Sequence, residues 1–139
     1  MSDKANVAQI ETAPLCGVTP YLMLDGAAEA IEFYANALGA QEVGVRTRTD
    51  DGRILNARID VNGGSIMLMD PMPEQGHPAV PLEGMNLHLQ VDDADRWFAR
   101  AVAAGCEIVM PVDLQFWGDR YGLVKDRFGV HWGFGSTPR

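Results

Sequence analysis

The chain has 139 residues, 47% hydrophobic and 22% charged, a make-up that suits one globular domain with a proper core. With 19 acidic and 11 basic residues it carries a formal net charge of −8 and no Lys/Arg cluster, which argues against nucleic acid and anionic membrane surfaces as partners. No stretch approaches the roughly 20 apolar residues of a membrane span, and the opening MSDKANVAQIETAPLC lacks the apolar run of a signal peptide, so a cytoplasmic address is expected.

Residues 1–17 read as a flexible tail. Cys16 and Cys106 have no metal-binding spacing; two reduced thiols are expected, with a disulfide as the alternative. From Val18 the pattern becomes regular. VTPYLML predicts a strand with Thr19, Tyr21 and Met23 on one face. Asp25 is placed to cap a helix in GAAEAIEFYANAL, where Ala27, Ala30, Ile31, Tyr34 and Leu38 recur at helical spacing and Gly39 ends the run.

Three strands should follow. EVGVRTRT is rich in Val and Thr, and Asp51-Gly52 is a two-residue hairpin signal. RILNARIDV alternates, with Leu55, Ala57, Ile59 and Val61 on one face and Asn56, Arg58 and Asp60 on the other. Asn62-Gly63-Gly64 turns the chain into SIMLMD, which closes a first βαβββ module over residues 18–70.

The proline-rich stretch 71–84 cannot form a regular element and reads as a linker. A second module, 85–135, then repeats the order. MNLHLQVD is a strand, Asp92 or Asp93 caps a helix holding Ala94, Trp97, Phe98, Ala101 and Val102, and Gly105 ends it. EIVMPVDLQFW, RYGLVKD and VHWGF supply three more strands. The helix-ending glycines Gly39 and Gly105 stand 66 residues apart, and LMLDGAA against LQVDDAD and ALGAQEV against AAGCEIV fit that offset to within one residue. Each unit alone would leave a sheet face uncovered, so a pair is physically expected.

This duplication, with AIEFYANALGA in the first half and DRFGVHWGF closing the second, resembles the vicinal-oxygen-chelate superfamily of glyoxalase I, bleomycin-resistance proteins, fosfomycin-resistance enzymes and extradiol dioxygenases. VTPYLML, HLQVDDAD and FWGDRYGLVKDRFGVHWGF are similar to its PhnB-like branch, and the resemblance runs from Val18 to Phe134. It implies an α+β fold of two tandem βαβββ modules whose curled mixed sheets form a cup, and a homodimer, sometimes with halves exchanged. In the metalloenzymes of this family the first and last strands of each half give one His, Glu or Gln ligand. Carried over by motif, those positions fall on Thr19, Met67, Asn86 and Gly133. Such a set does not hold a hard or borderline divalent ion, because glycine has no donor, methionine a soft one, and Thr and Asn only neutral oxygens. No cofactor is therefore expected at the usual place. A displaced divalent ion on His88 and His131 stays open. Arg127 stands where relatives more often carry proline in DPFG, a change that should affect a turn.

If the strands alternate as read, Thr19, Tyr21, Met23, Met67, Met69, Asn86, His88, Gln90 and His131 share the cup face. His88 is the candidate catalytic base, since an unperturbed histidine titrates near ~6.5; a structural histidine paired with Gln90 is the plain alternative. Arg58 could clamp a carboxylate or phosphate, or simply make an ion pair. In QFWGDRYG, Trp117 could stack on a flat ligand or plug the core, while Asp119 and Arg120 pin a hairpin. No nucleophile elbow, phosphate-cradling loop or dinucleotide fingerprint is present. Three functions follow, one of them a nonenzymatic homodimer scaffold whose cavity is filled by its own side chains. The first is a metal-independent small-molecule binder using Thr19, Tyr21, Arg58, Met67, Asn86, Gln90, Trp117 and His131. The alternative is a lyase, isomerase or dioxygenase using a displaced metal or His88.

Overall fold

A computed structural model describes residues 13–138. Most of the expected tail thus lies outside the described residues, and 13–17 carries no regular element. Eight strands and two helices follow in two βαβββ modules: β1 Tyr21–Met23, α1 Ala27–Leu38, β2 Gln41–Arg48, β3 Ile54–Val61 and β4 Gly64–Met69, then β5 Leu87–Gln90, α2 Ala94–Ala103, β6 Glu107–Leu114, β7 Arg120–Lys125 and β8 His131–Ser136. Each module has its own four-stranded mixed sheet, ordered β1-β4-β3-β2 and β5-β8-β7-β6, with the outer β1–β4 and β5–β8 pairs parallel. Among the described residues no helix is long and apolar enough to cross a membrane.

In the first module one sheet face buries Leu22, Ala57, Ile59, Val61, Ile66 and Leu68, and α1 buries Ala27, Ala30, Ile31 and Tyr34. β1 is shorter than the apolar run suggested. Pro20 has no N–H to offer a neighbour, although its carbonyl still accepts from Met67 at 2.9 Å. The cap assigned to Asp25 is not made. Gly26 takes the N-cap position at φ 95 with no side-chain cap, and Asp70, just past β4, accepts from the Ala27 N–H at 2.8 Å and from the Ile54 N–H at 2.7 Å.

Two further local readings change. Thr49 and Arg53 pair through Thr49 N–H to the Arg53 carbonyl at 2.8 Å, so the β2–β3 loop has three residues ending on Gly52 at φ 90 instead of a two-residue turn. The register slips at the start of β3, where Thr47 faces Asn56 but Arg48 faces Ile54. Ile54 therefore enters the core and Leu55 is displaced from it, a phase break that a bulge produces and alternation cannot foresee. The proline-rich stretch is not wholly irregular, since Pro73–Gln75 forms one 3-10 turn closed by a Met72–His77 bridge, with Met72 buried.

In the second module α2 packs over β7 and reaches β6 and β8. Asp93 is its N-cap and accepts from the Arg96 N–H at 3.1 Å, as one of the two expected caps. Gly122 permits the close approach: a Cβ there would meet Val112 Cγ2 at 2.6 Å and Phe98 Cδ2 at 2.9 Å. Leu89, Val124, Trp132 and Phe134 are buried on this face. Asp126 is buried too, and it is satisfied by the indole N–H of Trp132 at 2.8 Å and the backbone N–H groups of Phe128 and Val130. Both cysteines are free thiols, Cys16 exposed and Cys106 buried.

Candidate functional site

Strand alternation sends one row of side chains to the buried face of each sheet and the other row to an open face. On the open face of the first sheet, the Tyr21 hydroxyl donates to the Leu55 carbonyl at 2.7 Å and accepts from Asn56 Nδ2 at 3.0 Å. Asn56 also reaches the Met67 sulfur at 3.6 Å. Arg58 is already engaged. Its Nε donates to Asp60 Oδ1 at 2.9 Å and its Nη1 to the Ala13 carbonyl at 2.6 Å, so the ion-pair reading describes it and no free clamp is presented. Thr19 and Met67 are half-buried here and bring one hydroxyl and one thioether.

The open face of the second sheet holds the other candidates. His88 Nε2 lies 2.8 Å from Gln90 Oε1. The Gln90 amide nitrogen is directed at Asp119 Oδ2 at 3.2 Å and Thr137 Oγ1 at 3.5 Å. With that amide nitrogen donating elsewhere, Oε1 is left to accept, so Nε2 of His88 carries the proton and Nδ1 the lone pair. The His88 ring stacks on Tyr121, centroids 5.8 Å apart and planes 15° off parallel.

Two glycines make room for this layer. A Cβ at Gly135 would meet His88 Cε1 at 2.8 Å, and one at Gly133 would meet the Tyr121 hydroxyl at 2.6 Å. The position to which the family resemblance assigned a metal ligand is thus covered by a phenol. Burial pushes that phenol above its usual range, and the neighbouring Asn86 side chain pulls it partly back. Trp117 does not plug the core. It is 52% exposed on the Phe116–Gly118 hairpin loop, edge-on to Phe116 and Tyr121 at 5.0 and 5.9 Å. Arg120 pairs with Asp95 of α2 at 2.7 Å, while Asp119 binds Gln90 and Thr137.

Below Tyr121 a pocket of about 400 Å³ opens on the same face, lined by Gly84, Met85, Asn86, Val109, Leu123 and His131. A bulge in β6 between Ile108 and Met110 aims Val109 at it. His131 is half-buried there, and its imidazole makes no hydrogen bond with any described residue. Sequence reasoning thus found Asn86 and His131 but missed the walls Met85, Val109 and Leu123. For Val109 the signal was a bulge, which alternation conceals. Among the described residues no group of three or more His, Cys, Asp or Glu side chains could hold a metal ion. The usual family ion does not fit residues that offer Thr and Met in one module and Asn and a phenol-covered glycine in the other.

Comparison with known proteins places the fold in a family. The sequence model of the Glyoxalase/Bleomycin resistance protein/Dioxygenase superfamily matches residues 19–134. "Uncharacterized protein Rv0887c" of Mycobacterium tuberculosis (strain ATCC 25618 / H37Rv) is 41% identical over 128 residues, covering 88% of this chain and 75% of the relative. The crystal structure of protein PA1353 from Pseudomonas aeruginosa, 27% identical, superposes with a TM-score of 0.71 over 88% of this chain and 98% of its own. The PhnB protein from Bacillus cereus has the same fold at 21% identity, with a TM-score of 0.68 over 88% of this chain and 100% of its own.

Proposed function

The chain belongs to the glyoxalase/bleomycin resistance protein/dioxygenase superfamily, and from that premise we propose that it binds a small molecule on the open face of its second sheet without the family's usual divalent ion. The observation that carries this reading is the pocket itself. Its volume lies within the roughly 300–1,000 Å³ of small-molecule sites. Apolar walls and the two polar groups Asn86 and His131 give it the usual make-up of such a site, in which a few placed polar groups fix orientation. Trp117 and Tyr121 stand at the adjoining rim and would contribute flat apolar surface to a ring-bearing ligand.

A second reading rests on His88. Its Nδ1 lone pair, oriented by the Gln90–Asp119 chain, suits a general base, and would serve a lyase or isomerase reaction that starts by proton removal. The two readings separate by experiment. Protein purified without chelator is assayed for metal by mass spectrometry and then screened by thermal shift against small aromatic compounds. The binder reading expects substoichiometric metal and a rise in Tm. A ligand at a hundred times its Kd adds about 2.7 kcal/mol of stability. Stoichiometric zinc, nickel or iron that disappears in His88→Ala would replace this reading with the enzymatic one.

A further inference from the structure

We propose that the pocket selects an apolar molecule ending in a carboxylate, with Lys125 and His131 holding the charged end and Met85, Val109 and Leu123 the body. The inference rests on the small-molecule reading above and adds a chemical class to it.

Lys125 and His131 are direct partners in the antiparallel β7–β8 register. Both fall on the open face, because the intervening Val124 and Trp132 are buried on the other. Directly opposed residues place their Cβ atoms about 4.5–5.5 Å apart, close enough for both side chains to reach one carboxylate. Neither side chain makes a hydrogen bond or ion pair with any described residue. Arg46, Arg53, Arg58, Arg96 and Arg120 each sit in an ion pair, in a protein whose formal charge is −8. Arg48 and Lys125 are in none of these pairs, and of the two only Lys125 stands opposite a residue that lines this pocket.

The nearest acid by register is Glu107, which faces Lys125 from β6, and no ion pair joins the two. The ammonium is therefore available to a ligand, with Glu107 as its competitor. A lysine ammonium only donates, and Asn86 and His131 add further N–H donors at the pocket wall, so an acceptor-only group satisfies all three. A neutral ligand of equal shape would cover these groups without pairing them, at a cost in desolvation. A cationic one would be repelled by Lys125.

The test uses matched acid and amide pairs, benzoate with benzamide and naphthoate with naphthamide, titrated by calorimetry and by backbone amide NMR. The expected result is that the acids bind at least about tenfold tighter than the amides and shift the resonances of Asn86, Leu123 and His131. Lys125→Met should remove most of that preference while leaving amide binding in place, and Glu107→Gln should tighten the acids further. Equal affinity for acid and amide in the unaltered protein would overturn the carboxylate assignment and leave the binding pocket standing. Pocket resonances that fail to move with any of the four compounds at millimolar concentration would overturn both.

Discussion

Asp70 does the work that the local sequence assigned to Asp25. One carboxylate oxygen takes the first helical amide of α1 and the other takes the Ile54 amide at the start of β3. Its distance along the chain, 43 residues from Ala27, is why no capping pattern could reveal it. Asp70→Ala leaves both amides without that acceptor and should cost about 1–3 kcal/mol in urea unfolding, with Asp70→Asn losing less. A second residue-scale prediction concerns the thiols. Burial pushes the Cys106 thiol up to about 11, with Asp126 adding to the rise. The folded state therefore holds that proton more tightly than the unfolded chain. Stability is intact below the unfolded thiol range near ~8.5 and should fall as pH rises from there toward about 11, a decline that Cys106→Ala removes. A disulfide-exchange reagent should titrate Cys16 quickly and Cys106 only as the fold opens. In the site, residue types pointed to His88 as the foremost histidine, yet it is tied to Gln90 and stacked on Tyr121, whereas the His131 imidazole lines the pocket with no hydrogen bond to a described residue. That difference depends on long-range packing, which side-chain chemistry alone does not encode.

At the scale of elements, periodicity located both helices and the order of all eight strands, since spacing at 3.6 and 2.0 residues reports buried faces directly. The glycines after each helix mark their ends for a physical reason. Gly39 at φ 67 and Gly105 at φ 116 adopt backbone that other residues enter only with strain. Phase within the strands was less legible. Bulges at the start of β3 and in β6 shift Leu55 out of the core and Val109 toward the pocket. Gly122 is the element-level constraint that invites a test, because α2 lies so close over β7 that an added methyl meets Val112 and Phe98. Gly122→Ala should destabilise by about 1–3 kcal/mol, read as a lower urea midpoint with an unchanged slope. Gly133→Ala acts on the other face, pressing on the Tyr121 hydroxyl, and should alter ligand affinity as well as stability.

Across the whole molecule the duplication reaches into the small devices of the fold. Ser136 closes the second module as Asp70 closes the first, its hydroxyl accepting from the Ala94 N–H at 3.0 Å. The Gln115–Asp119 loop repeats the three-residue Thr49–Arg53 loop, each at the offset of 66 that the helix-ending glycines first indicated. The family resemblance was legible because such motifs are local, while ligand identity depends on which open-face groups remain uncommitted after packing. A homodimer is the expected assembly. Ile108, Val109, Met110 and Leu114 leave much apolar surface exposed on the edge strand β6, where Pro111 removes one of the N–H groups that strand addition would use. Light scattering should return twice the chain mass of 15.1 kDa, and Met110→Lys should reduce it toward one copy. The most direct test of the central claim is calorimetric titration of naphthoate into chelator-treated protein, repeated after zinc is added. One site of unchanged affinity in both titrations, lost when Leu123→Asp fills the pocket wall with charge, is the predicted result; binding that occurs only with the metal present would contradict it.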